Sequence, residues 1–261
     1  MRIIYLALLC LTLGACSGLP KDDETKDWSA AKFYDEAKLA LSEGDYPKAI
    51  GYYESLEARY PFGRYTQQGQ IDIAYAHYRN SEPDLALAAA DRFIKLYPSH
   101  PRVDYAYYLK GLINEDRGIT FLQRYLPVDP TQRDPGAARD AFKDFAELVN
   151  RFPESPYAED ARQRMVALRN RLAEYELHVA RYYLKRKAYV AAAERAQYVL
   201  ENYQRTPAIP DALQLLNQSY VALGLDPLAQ DSQRVYALNY ATQSPPPKER
   251  RWWDWFGLDR D

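Results

Sequence analysis

Between residues 30 and 240, apolar side chains return every third or fourth position, the spacing that lays them along one face of a helix. The pattern also repeats on a larger scale. Residues 44–61 read GDYPKAIGYYESLEARYP, and weakened copies follow at 81–98 (SEPDLALAAADRFIKLYP), 136–153 (GAARDAFKDFAELVNRFP) and 187–204 (KAYVAAAERAQYVLENYQ). Each copy places an alanine early in an amphipathic helix (Ala49, Ala86, Ala141, Ala192) and an aromatic at its end (Tyr60, Tyr97, Phe152, Tyr203). The first three close on a proline, which cannot continue a helix. The small residue lets a neighbouring helix come close, so the copies predict stacked helix pairs rather than one globular core.

The unit resembles the tetratricopeptide repeat, about 34 residues in two antiparallel helices. In the first copy the pattern predicts a helix over 31–43, a turn at Gly44-Asp45-Tyr46 and a second helix over 47–59. The expected fold is all-α, a solenoid of about five such pairs. Repeat one covers 30–62 and repeat two 67–100. Repeat three joins a helix over 103–118 to one over 135–151 across an insertion at about 118–135. No Gly or Pro interrupts residues 157–206, and one long helix is expected over 155–186, its second half opening repeat four. Repeat four closes over 188–203, and repeat five spans 209–240 around Gly224-Leu225-Asp226. The domain reading is therefore N-terminal repeats over 29–155 and C-terminal repeats over 156–241.

The ends of the chain have a different texture. Arg2, an apolar run over 3–13 and the small pair Gly14-Ala15 read as a signal peptide over 1–15, too short to span a bilayer as a mature helix. Leu13-Gly14-Ala15-Cys16 looks like a bacterial lipobox, so the mature chain is expected to begin at an acylated Cys16, followed by a polar tether over 16–28. Several acyl chains on one residue suffice for a stable anchor. Ser17 after the cysteine directs such a lipoprotein, by resemblance to enteric bacteria, to the outer membrane facing the periplasm. At the other end, Pro245-Pro246-Pro247 breaks the pattern and KERRWWDWFGLDRD follows, a 242–261 tail rich in tryptophan. It reads as a partner-docking or membrane-surface tail, or else as a disordered extension or packing on the last repeat.

Composition excludes several functions. Cys10 and Cys16 are the only cysteines; one leaves with the signal and the other is lipidated, so stability rests on helix packing without disulfides. Net charge is −2, or −3 once Arg2 is removed, which argues against a nucleic-acid partner. No nucleophile, phosphate-binding loop or metal-ligand spacing assembles, and His77, His100 and His178 lie far apart, so no catalytic residue, metal or cofactor beyond the Cys16 lipid is expected. What the chain does have is tyrosine, 24 in all. On the first helix of each N-terminal repeat, Tyr34 with Lys38, then Tyr75, Tyr78 and Arg79, then Tyr105 and Tyr108 fall where a concave face would run. An aromatic groove with a few cations suits an extended or terminal peptide, the rings burying side chains and Lys38 or Arg79 meeting a carboxylate. The same stripe is also what a core between repeats would use.

Three segments resemble the BamD family of lipoproteins from the β-barrel assembly machinery: YYESLEARYPFG at 52–63, the run from Arg133 to Ala196, and TPAIPDAL at 206–213. The resemblance covers about 28–240 and departs at Gln204, where a proline is usual. It implies that the N-terminal repeats bind unfolded outer-membrane protein precursors. It also implies that the C-terminal repeats dock on the periplasmic domains of the barrel component and on accessory lipoproteins, with Arg181, Lys185, Arg195 and Tyr198 as the docking residues. The alternative reading is a repeat lipoprotein that scaffolds cell-wall or envelope enzymes.

Overall fold

The computed structural model describes residues 24–117 and 135–240. The signal peptide, Cys16, most of the tether, the insertion and the Trp-rich tail lie outside the described residues. Among the described residues there are ten helices and no strand. They are α1 (Ala30–Glu43), α2 (Tyr46–Arg59), α3 (Arg64–Arg79), α4 (Pro83–Leu96), α5 (Val103–Arg117), α6 (Gly136–Arg151), α7 (Ala158–Lys185), α8 (Tyr189–Asn202), α9 (Ile209–Ala222) and α10 (Asp226–Tyr240). Helices α3 and α7 each begin three residues from the expected position, one earlier and one later. The long helix has 28 residues, about 42 Å at 1.5 Å per residue.

The repeat seen in the sequence is a repeat of backbone geometry. Ala49, Ala86, Ala141 and Ala192 are each fully buried, so the small residue does mark the close approach. Tyr60, Tyr97, Phe152 and Tyr203 each cap their helix with φ between −131° and −120°. Each returns its N–H to the carbonyl four residues back, on Leu56, Phe93, Leu148 and Val199 at 2.8–2.9 Å. Those four residues are fully buried, so cap and core are built together.

The turn between paired helices recurs as well. Gly44, Ser81, Lys187 and Gly224 take left-handed φ values of 81°, 62°, 60° and 70°. At each, the following N–H reaches the carbonyl five residues back: Asp45 to Ala40, Glu82 to His77, Ala188 to Tyr183 and Leu225 to Tyr220. The left-handed residue's own N–H reaches the carbonyl three residues back, on Leu41, Tyr78, Leu184 and Val221, and this double closure satisfies carbonyls that a helix end otherwise leaves open. Glycine supplies the conformation in repeats one and five; a serine and a lysine hold it in two and four.

The chain forms two compact units, 1–106 and 107–261, the division falling within α5. The repeat-based boundary expected at 155/156 lies further along the chain, and α7 belongs wholly to the second unit. In the first unit α1 packs on α2, α3 on both, and α4 on α3. Its core gathers Phe33, Ala37, Ala40, Ala49, Tyr53 and Leu56, with Trp28 packed against it 5.2 Å from the Phe33 ring and 5.3 Å from that of Tyr52. In the second unit α6, α7, α8, α9 and α10 pack in chain order. Phe145, fully buried, lies so close to Gly111 that a Cβ there would meet the ring at 2.3 Å. Burying such a ring contributes about 1.5–3 kcal/mol, and the glycine is what admits it.

Candidate functional site

In the first unit, α1 and α3 present one connected set of polar and aromatic groups. Asp72 lies on the α3 face that also buries Ile71 and Ala74, and is itself 4% exposed. It accepts the Tyr34 hydroxyl at 3.0 Å and the Gln68 amide at 3.1 Å, with Lys38 and Arg102 each at 3.7 Å. A carboxylate taken from water requires such partners. Burial first, and the Asp72 charge second, push the Tyr34 hydroxyl above its ordinary range; the same two causes act on Tyr53. The buried Tyr53 hydroxyl nevertheless completes no hydrogen bond.

Beside this cluster Lys38, Leu41, Ser42, Glu43, Gly44, Tyr46, Tyr75 and Arg79 line a hollow of about 430 Å³. Arg79 donates to the Tyr75 hydroxyl at 2.7 Å and stacks over the rings of Tyr46 and Tyr75 at 5.2 and 5.7 Å. Tyr78 packs on Tyr75 with ring centroids 6.4 Å apart, and Arg102 lies 5.0 Å from the Tyr105 ring. The first unit thus gathers Lys38, Tyr75 and Arg79 on one hollow, joins Tyr34 to it through Asp72, and links Tyr105 to Asp72 through Arg102. The arrangement offers two cations and two aromatic faces, with Glu43 as the opposing charge, enough to hold a carboxylate and an apolar side chain.

Tyr108 belongs to the second unit. Its hydroxyl donates to Asp160 at 2.6 Å and its ring stacks on Tyr157 at 4.9 Å, while Arg164 bridges Asp160 and Glu115 at 2.6 and 2.7 Å. Hydrogen bonds from Tyr108 and Arg164 outweigh the burial that opposes them and hold Asp160 below the usual carboxylate range. This residue therefore ties α5 to α7.

The expected docking residues divide in the same way. Arg181 and Lys185 line a hollow of about 290 Å³ with Leu184, Asp211, Gln214, Leu215 and Gln218. Arg181 is paired to Asp211 at 2.5 Å, and Tyr182 beside it is 57% exposed. Tyr198 is exposed and packs edge-on against Tyr203. Arg195, itself exposed, instead meets a buried acid. It donates to Glu176 at 2.9 Å, and Arg139 approaches the same carboxylate at 3.3 Å. Glu176 is 1% exposed, so this trio joins α6, α7 and α8 through a buried ion.

Asp72, Arg102 and Glu176 escaped the reading of the sequence, and Tyr46 entered it only as a turn residue. The signal for the two acids was present, since each interrupts an apolar helical face, in QIDIAYA and in LAEYELHVA. A charge at such a position needs a partner from another helix, and the partner's identity is not a local property. Among the described residues, no group of three or more His, Cys, Asp or Glu is placed to hold a metal ion, and no helix is long and apolar enough to cross a membrane.

Stacked antiparallel helix pairs, each packed on the next along the chain, define a helical-repeat protein. The family model described as outer membrane lipoprotein YfiO matches residues 26–235, and the chain belongs to that family. Its relatives include the outer membrane protein assembly factor BamD of Neisseria meningitidis serogroup A, 44% identical over 97% of this chain and 98% of that protein. The proteins of the same name from Vibrio cholerae and Xylella fastidiosa (strain Temecula1) are 40% and 37% identical. They cover 89% and 95% of this chain, and 96% and 84% of their own length. Among solved structures, a tetratricopeptide repeat protein from Parabacteroides merdae aligns over 80% of this chain and 79% of its own, at 11% identity and a TM-score of 0.38.

Proposed function

We propose that this lipoprotein is a non-catalytic subunit of outer-membrane protein assembly, held by acyl chains on Cys16 at the periplasmic face of the outer membrane. In this reading the first-unit hollow takes the end of an unfolded barrel precursor, with Lys38 and Arg79 on its carboxylate and Tyr46 and Tyr75 on an aromatic side chain. The second-unit hollow at Arg181 and Lys185 docks on the periplasmic part of the barrel component, and accessory lipoproteins join the same machinery. The observation that carries the reading is near-full-length similarity to proteins named as assembly factors, at 44% identity in the first case.

A mild-detergent pull-down of the mature protein from its own membranes, read by mass spectrometry, tests it. Recovery of a large β-barrel with periplasmic domains is expected; wall-synthesis proteins without that barrel would overturn the reading. Within the reading, a peptide ending in an aromatic residue is expected to bind the intact protein, and Arg79→Glu to weaken it about tenfold or more. An amidated peptide that binds as well as the free acid would remove the carboxylate role.

A further inference from the structure

Phe62 is the most exposed large apolar side chain among the described residues, at 90%. Single exposed hydrophobes are ordinary, so exposure alone decides nothing. Its position does. Phe62 stands in the turn between α2 and α3, between Pro61 and Gly63, whose φ of 122° is a conformation that side-chain-bearing residues rarely adopt. Exposed arginines flank it, Arg59 on one side and Arg64 on the other. The same turn is tied to the start of the folded chain. Arg59 donates to the Thr25 carbonyl at 2.5 Å, and the Tyr60 hydroxyl donates to the Trp28 carbonyl at 2.7 Å.

The tether therefore begins its path to the membrane from this turn. From Cys16 to Glu24 the chain is eight residues, about 28 Å when fully extended and about 16 Å as a flexible coil. An acyl anchor at Cys16 thus keeps Glu24 within that distance of the lipid headgroups, and the Phe62 turn, bonded to Thr25 and Trp28, stands next to that start of the folded chain. An aromatic ring flanked by arginines is the chemistry of the membrane interface, the ring entering the headgroup layer and the guanidinium groups meeting phosphates. Net charge contributes little, because Asp22, Asp23, Glu24 and Asp27 oppose Lys21 and Lys26 along the tether.

We infer that the turn carrying Phe62 is a second membrane contact, seated on the phospholipid surface and orienting the first unit relative to its anchor. The inference rests on the acyl anchor taken above. Cysteine usage makes it testable in the native lipidated chain. Cys10 leaves with the signal and the Cys16 sulfur is blocked, so Phe62→Cys introduces the one free thiol, at a position with no packing to lose. An environment-sensitive fluorophore on that thiol is read in vesicles of phosphatidylethanolamine and phosphatidylglycerol carrying headgroup-level nitroxide lipids. Leu39→Cys, half-exposed on α1, serves as the comparison.

Flotation with the vesicles, with a blue shift and quenching at 62 and neither at 39, is the expected result. A chain that floats but is unquenched at 62 overturns the second contact while leaving the anchor intact. A chain that does not float overturns both. A probe at 62 that ignores lipid and responds only to added precursor peptide assigns the turn to a protein partner, and also overturns the inference.

Discussion

Asp72 gathers two hydrogen bonds and two cations on one buried carboxylate, so its replacement tests the first-unit surface directly. Asp72→Ala is expected to lower stability by about 2–4 kcal/mol, since it strands the Tyr34 hydroxyl and leaves Lys38 and Arg102 facing each other. Asp72→Asn also removes the charge but keeps one oxygen, an acceptor for either Tyr34 or Gln68, which bond different carboxylate oxygens, and should cost less; equal losses in denaturant titrations would contradict the hydrogen-bond part of the account. Glycines make a sharper pair. Gly111→Ala drives a methyl into the Phe145 ring and should cost about 1–3 kcal/mol or more, whereas Gly51→Ala, in an α2 interior with nothing within 4 Å, should add up to about 1 kcal/mol.

His100 carries a pH dependence. Burial first, and Arg102 second, hold its imidazole below the ordinary histidine range, and its Nδ1 accepts the Arg102 backbone N–H at 3.1 Å. The unfolded chain takes up this proton near pH 6.5, the folded chain only at lower pH. The contribution is thus present above about pH 6.5 and lost as pH falls through the folded value. Solvent screening limits it to a fraction of about 1 kcal/mol. His100→Asn is expected to flatten the stability profile between about pH 7.5 and 5.5, measured by thermal unfolding; an unchanged slope would refute the assignment.

At the scale of the element, the left-handed turn residue is the informative position. Ser81 and Lys187 hold a conformation that repeats one and five assign to glycine. Ser81→Gly and Lys187→Gly are each expected to stabilise by about 0.5–1 kcal/mol, because relief of the side-chain clash exceeds the added entropy of the unfolded chain. Calorimetric melting of the single variants decides it, and a lower melting temperature for both would count against the strain. The helix-joining ions act at this scale too. Arg195→Ala leaves Glu176 with Arg139 alone and should destabilise α8 by about 1–3 kcal/mol. A docking test is therefore cleaner at Arg181 and Lys185 than at Arg195, whose loss confounds binding with folding.

For the whole molecule, Arg181→Gln combined with Lys185→Glu is expected to weaken co-purification with the barrel component while leaving far-ultraviolet circular dichroism and melting close to the parent, since glutamine beside Asp211 avoids the like-charge contact a glutamate would make. Full recovery of the complex would remove that surface from the docking role. The helices, their pairing and the family were legible in the chain because they rest on short-range information: periodicity, a small residue at a contact, an aromatic cap four residues past a core side chain. The left-handed turns were legible only where glycine marked them, at Gly44 and Gly224. Ser81 and Lys187 carry no such mark, since tertiary packing rather than propensity holds them there.

The candidate site divides along the same line. Residue types and helical spacing sufficed to nominate Tyr34, Lys38, Tyr75 and Arg79, because side chains three or four apart must share a face. Whether a nominated side chain faces solvent or a neighbour depends on contacts between helices distant in sequence. Only those contacts show that Arg181 meets the exposed Asp211 at the rim of a hollow while Arg195, no less exposed itself, meets the buried Glu176. Periodicity and repeated short motifs were enough to specify an all-helical repeat chain. Which of its acids are buried against cations was settled only in three dimensions, because a carboxylate such as Asp72 finds its cations 34 residues before it and 30 after, at Lys38 and Arg102.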